Sequence, residues 1–174
     1  TISQGGRSYE VTPLSGSMPV EELYDLRIPS QFGGDNGATD PGTGPYFTSV
    51  GTTALQREST TITFLYDGPN GLSLVVVHDK AGSTGGSASW TVSGSLGGTE
   101  WLVKDDFYTD TSTGDPADTN YDRWQLDGTE DEIDWTWSAN AADGGVIGYL
   151  DDGVEVGIQP TYGTVMWTAF SVFP

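Results

Sequence analysis

His78 is the chain's single histidine and the natural place to look for acid–base chemistry near neutral pH. A catalytic triad would need it beside an activated serine, yet no Gly-x-Ser-x-Gly elbow occurs. His78 instead closes the apolar run Leu72 to Val77, which marks it as a strand-end residue. There is also no His-Glu-x-x-His, no Gly-rich phosphate loop and no dinucleotide fingerprint. Paired carboxylates could serve glycoside hydrolysis, but among 25 acids a pair carries no information. The absence of cysteine excludes disulfides, zinc–thiolate sites, iron–sulfur clusters and thiol nucleophiles. A non-enzymatic protein with no catalytic residue is expected.

Two constellations could bind something. Asp105, Asp106, Asp110, Asp115 and Asp118 fall in one polar segment that ends at Asp122. A hard cation such as Ca²⁺ takes roughly six to eight oxygens, often from such loops. These five aspartates are therefore the candidate metal ligands, and calcium is the one candidate cofactor. Their spacing is not that of an EF-hand, and a solvated acidic loop is the competing reading. The second constellation is aromatic: Trp90, Trp101, Trp124, Trp135, Trp137 and Trp167. Exposed rings are what sugar-binding sandwiches use. Trp90, Trp135 and Trp137 alternate with polar residues and belong to a core. Trp124, between Arg123 and Gln125 beside the acidic segment, is the candidate carbohydrate contact.

The elements that must position these residues read as strands. Ile62, Phe64 and Tyr66 face one way and Thr61, Thr63 and Leu65 the other. Asp67-Gly68-Pro69-Asn70-Gly71 is a turn cluster, and Leu72 to Val77 follows as a central strand, so a hairpin is predicted. Ala88 to Val92, Glu100 to Lys104 and Ile133 to Trp137 predict three more strands. Val146 to Leu150 and Val154 to Ile158 flank Asp151-Asp152-Gly153 and predict a second hairpin. Thr164 to Phe173 predicts a long final strand. Pro19 to Asp25, capped by Ser17, is the best helix. Gly33 to Pro45 and Asp105 to Asp122 predict long loops. Turn signals about every ten residues favour a sandwich over βαβ units.

Charge sets the environment. Asp plus Glu number 25 against 6 Lys plus Arg, a net charge of −19. Such a surface repels itself at low ionic strength, and molar salt cuts the screening length to about 3 Å. Adaptation to high salt is expected; an extracellular domain neutralised by bound calcium is the alternative. With no basic patch, nucleic acid is not an expected partner. No apolar run approaches the roughly 20 residues of a membrane span. Thr1-Ile2-Ser3-Gln4 opens the chain with neither Met nor a signal peptide, as a processed or a trimmed form would.

Several stretches carry a resemblance. They are Thr52 to Arg57, Tyr66 to Asp79, Trp101 to Asp106 and Ile133 to Trp137. Together they resemble uncharacterised secreted acidic β-sandwich proteins of salt-loving archaea, over about positions 45 to 160. The resemblance implies an extracellular, hypersaline setting and no functional residue.

The expected fold is all-β, a two-sheet antiparallel sandwich of jelly-roll or immunoglobulin-like type with little helix. It forms one domain over 1–174, with 1–14 as an exchangeable N-terminal arm that swings at Gly5 and Gly6. Four roles compete: a self-associating structural subunit of a surface layer, filament or virion shell, acting through strand edges; a carbohydrate-binding module; a calcium-stabilised adhesion domain; and a hydrolase with no recognisable motif. The charge yields a direct test. Circular dichroism melts across a NaCl series are expected to show the melting temperature rising from tens of millimolar to molar salt. A melting temperature that does not move refutes salt adaptation.

Overall fold

Alternation becomes architecture in a computed structural model that describes residues 1–25, 49–94, 99–105, 107, 122–127, 129–139 and 141–162. The elements in chain order are β1 (Ile2–Gln4), β2 (Arg7–Tyr9), β3 (Leu14–Ser15), α1 (Val20–Tyr24), β4 (Thr61–Gly68) and β5 (Gly71–His78). There follow β6 (Gly86–Gly94), β7 (Glu100–Lys104), β8 (Arg123–Leu126), β9 (Glu130–Trp137), β10 (Asp143–Leu150) and β11 (Val156–Tyr162). The protein is all-β, with one short helix among the described residues.

Two sheets form the sandwich. One runs β3-β4-β5-β10-β7, the other β11-β6-β9-β8, and β1-β2 stands apart as a two-stranded hairpin. Among the described strands the chain passes between the two sandwich sheets five times, and within them only β3–β4, β4–β5 and β8–β9 are neighbours both in sequence and in a ladder. Among the described strands only β3 against β4 is parallel.

The two faces of the five-stranded sheet bury different residues. Leu74, Val76 and Ile147 meet Trp90, Val92, Ile133, Trp135 and Trp137 of the other sheet. On the opposite face Ile62, Phe64, Tyr66, Val75 and Val77 pack under Val20 and Tyr24 of α1. A sheet covered on both faces explains the near-continuous apolar run of β5, its central strand. A bulge does the sorting at β7. Val146 pairs with Val103 and Ile147 with Trp101, which skips Leu102. Trp101 therefore turns into the inter-sheet core while Val103 stays on the helix side.

Three expectations are corrected. Val146 to Leu150 and Val154 to Ile158 do not form a hairpin. Both sides of β10 are already taken by β5 and β7, so the chain leaves through a turn closed by Val154 N–H to Asp151 O and joins the other sheet beside β6. Ser17 does not cap the helix; Pro19 sits at its N-cap with no side-chain bond, and its carbonyl receives the Leu23 N–H. Gly5 and Gly6 are not a loose hinge. Their φ values of 56° and 75° make the tight turn between β1 and β2. The expected strand 164–173 and loop 33–45 lie outside the described residues.

The inter-sheet core predicts a graded cost. Ile133→Val should lose about 0.5–1.5 kcal/mol and Trp135→Ala about 3–5 kcal/mol, read by urea unfolding in molar salt. Equal, small losses would mean that these side chains do not hold the sheets together.

Candidate functional site

His78 shares a 2.6 Å hydrogen bond between Nδ1 and the Thr61 hydroxyl. A hydroxyl beside an imidazole is the start of a nucleophile–base pair. Here the pair is sealed: His78 is 0% and Thr61 2% exposed, so no substrate reaches them. The imidazole stacks on Trp137 at 5.3 Å and lies against Trp135 and Trp90 at 4.7 and 5.7 Å. Burial lowers its pKa to about 3, against a smaller opposing pull from Asp79. Asp79 closes this end of the core. Its carboxylate accepts from the Ser59 N–H at 2.9 Å, the Ser83 hydroxyl at 2.6 Å and the Trp137 indole at 2.9 Å.

The acidic segment is visible at its two ends. Tyr24 donates its hydroxyl to Asp105 Oδ2 at 2.7 Å, which spends that carboxylate on the helix–sheet contact. Burial raises the Tyr24 phenol well above its ordinary range, and the carboxylates of Asp105, Asp143 and Asp122 add to the effect. Asp122 accepts the Thr136 N–H at 2.8 Å. Asp106, Asp110, Asp115 and Asp118 lie outside the described residues. Among the described residues no three carboxylate or imidazole groups form a metal-binding cluster.

Trp124 is half-buried. Its ring meets Trp101 and Trp135 edge to face at 4.9 and 5.6 Å, and its N–H donates to the Asp105 carbonyl at 3.3 Å. It thus shuts the side of the sandwich where β7 and β8 form the sheet edges.

A cleft of about 470 Å³ opens beside it, between β7 and the β8–β9 turn. Glu100, Trp101, Lys104, Leu126, Asp127 and Asp131 line it. The Trp101 N–H donates to the buried Asp131 carboxylate at 3.0 Å. The Lys104 ammonium lies 4.6 Å over the Phe107 ring. Asp127 Oδ1 accepts from the Thr129 N–H, the Thr129 hydroxyl and the Glu130 N–H at 2.8, 2.9 and 2.7 Å. The Glu130 and Thr129 amides, then the hydroxyl, hold this exposed carboxyl below the usual range. Leu126 is 43% exposed on the rim. Fixed carboxylates beside an apolar side chain suit recognition of a cation with an apolar neighbour.

Sequence reasoning missed this cleft. Glu100, Asp127 and Asp131 are three acids among many, and only the fold brings them together; Asp127-Gly128-Thr129 was the one local signal, an Asx turn. No protein-family model, curated protein or solved structure matches the chain.

The buried imidazole makes stability depend on pH. Its folded pKa is lowered, so between about 6.5 and 3 the unfolded chain binds a proton that the native one does not. Stability from this group is complete above about pH 6.5 and is lost as pH falls, by at most ~1.4 kcal/mol per pH unit. Urea unfolding in molar salt at pH 7 and 4.5 should show that slope reduced in Thr61→Val/His78→Phe. Identical slopes in variant and parent would refute a neutral buried imidazole.

Proposed function

We propose that this chain is a non-enzymatic, self-associating extracellular subunit, part of a surface layer, filament or virion shell in a hypersaline setting. The observation that carries the proposal is the N-terminal hairpin. Among the described residues β1 and β2 pair only with each other, Ile2 with Tyr9, Ser3 with Ser8 and Gln4 with Arg7. The Ser3 and Ser8 hydroxyls bond across it at 2.8 Å. Every residue of the two strands is exposed except Ile2, which is half-exposed. A lone two-stranded hairpin is marginal in water, and its outer edges offer unpaired amides and carbonyls. It gains most by docking on a surface.

Charge and chemistry support the same reading. Molar salt removes the long-range repulsion that would hold −19 subunits apart. The one hydroxyl–imidazole pair is sealed inside the core, which favours contact over catalysis.

Light scattering in molar salt tests the proposal. The full chain should form multimers, and a chain lacking residues 1–10 should fold yet remain monomeric, because β3 and its pairing with β4 are kept. A monodisperse, monomeric full chain overturns self-association, and glycan-array binding by that monomer would put a carbohydrate-binding module in its place.

A further inference from the structure

We infer that the cleft between β7 and the β8–β9 turn receives the N-terminal hairpin of a second copy of this chain. The inference rests on the self-association reading and names its surface. Both halves carry complementary chemistry. Register and alternation place Ile2, Gln4, Arg7 and Tyr9 on one face of the hairpin, with Ser3 and Ser8 on the other. That face therefore presents an apolar pair and one guanidinium.

Arg7 is exceptional among the described cations. Lys80 pairs with Glu58 at 3.7 Å and Arg123 with Asp134 at 3.4 Å. Lys104 lies over Phe107, and Arg57 is also engaged. Arg7 alone among the described cations shows no ion-pair or ring partner and is exposed. A guanidinium is also the cation best shaped for carboxylates.

The cleft supplies what that face lacks. Glu100 and Asp127 offer exposed carboxylates, Asp131 adds negative charge behind them, and Leu126 offers apolar surface. Among the described residues the exposed large apolar side chains are Tyr9, Leu14, Met18 and Leu126. Three of these belong to the N-terminal segment; Leu126 is the one that stands on the far strand edge. Asp127 is already fixed by three hydrogen bonds, so pairing it orders only the arginine. In the contact Arg7 enters among the acids while Ile2 and Tyr9 cover Leu126.

Hairpin and cleft are different patches, so a one-way contact repeated from copy to copy gives a ring or an open filament, whereas reciprocal exchange of hairpins between two copies closes a dimer.

Sedimentation in molar salt of four full-length variants decides it. Leu126→Asp, Glu100→Arg and Arg7→Glu alter exposed side chains, and circular dichroism checks that each folds. Each should weaken association by about tenfold or more, as a central contact does. Arg7→Glu combined with Glu100→Arg should recover much of the loss; a contact pair removed from solvent is screened less than open surface charge. If removal of residues 1–10 abolishes association while the cleft variants associate like the parent, the cleft is overturned and the hairpin reading stands. A full-length parent that stays monomeric overturns both.

Discussion

Trp135 ties the two sheets together. It stands on β9 in the four-stranded sheet and donates its indole N–H to the Gly144 carbonyl on β10 of the other sheet, at 2.9 Å. Its ring also touches His78, Trp90, Trp101 and Trp124. The glycine that accepts this bond is demanded by its own sheet, where β5 runs alongside β10. Gly144 has φ +146°, and a Cβ there would lie 2.1 Å from the Val76 carbonyl oxygen. One indole therefore links the two sheets by a hydrogen bond and stands at the centre of the aromatic residues between them.

The same core shows how an acidic chain buries carboxylates. A buried carboxylate needs donors, and this chain has only 6 Lys plus Arg to offer. Indoles, phenols, hydroxyls and amides donate to several of these carboxylates. Trp137 and Ser83 serve Asp79, Trp101 serves Asp131, and Tyr24 serves Asp105. The tryptophans thus have two tasks, filling the space between the sheets and satisfying acids at its margin.

Much of this was legible in the sequence, for a local reason. Alternation at Ile62 to Tyr66, Ala88 to Val92 and Ile133 to Trp137 reports directly on which face is buried, and the strands and core residues follow from it. The hairpin from β4 to β5 was legible because its turn residues and both strands are contiguous. What was not legible is non-local. Asp151-Asp152-Gly153 signals a turn but not the sheet into which the chain turns; occupancy of both sides of β10 decides that. Leu102 gives no sign of the bulge that sends Trp101 and Val103 to opposite faces. Trp124 sits among polar neighbours, yet its ring packs on tryptophans from β7 and β9. The cleft combines β7 with the β8–β9 turn, over 20 residues apart in sequence, in a composition where acids carry no contrast.

The outer strands explain why contact between copies would be discrete. β3 has two residues and β8 four, β7 carries the bulge, and β11 holds Pro160, which has no N–H to donate. Short, bulged or proline-bearing edges resist open-ended sheet extension. Glu100 and Lys104 on β7, and Arg123 on β8, place charge at the same edges. Uncontrolled pairing of sandwich to sandwich is thereby disfavoured even when salt has removed the repulsion. The N-terminal hairpin differs from every one of these edges. It is regular, exposed on both faces and held by a tight Gly5–Gly6 turn, so it can enter a shaped recess without opening the sandwich that carries it.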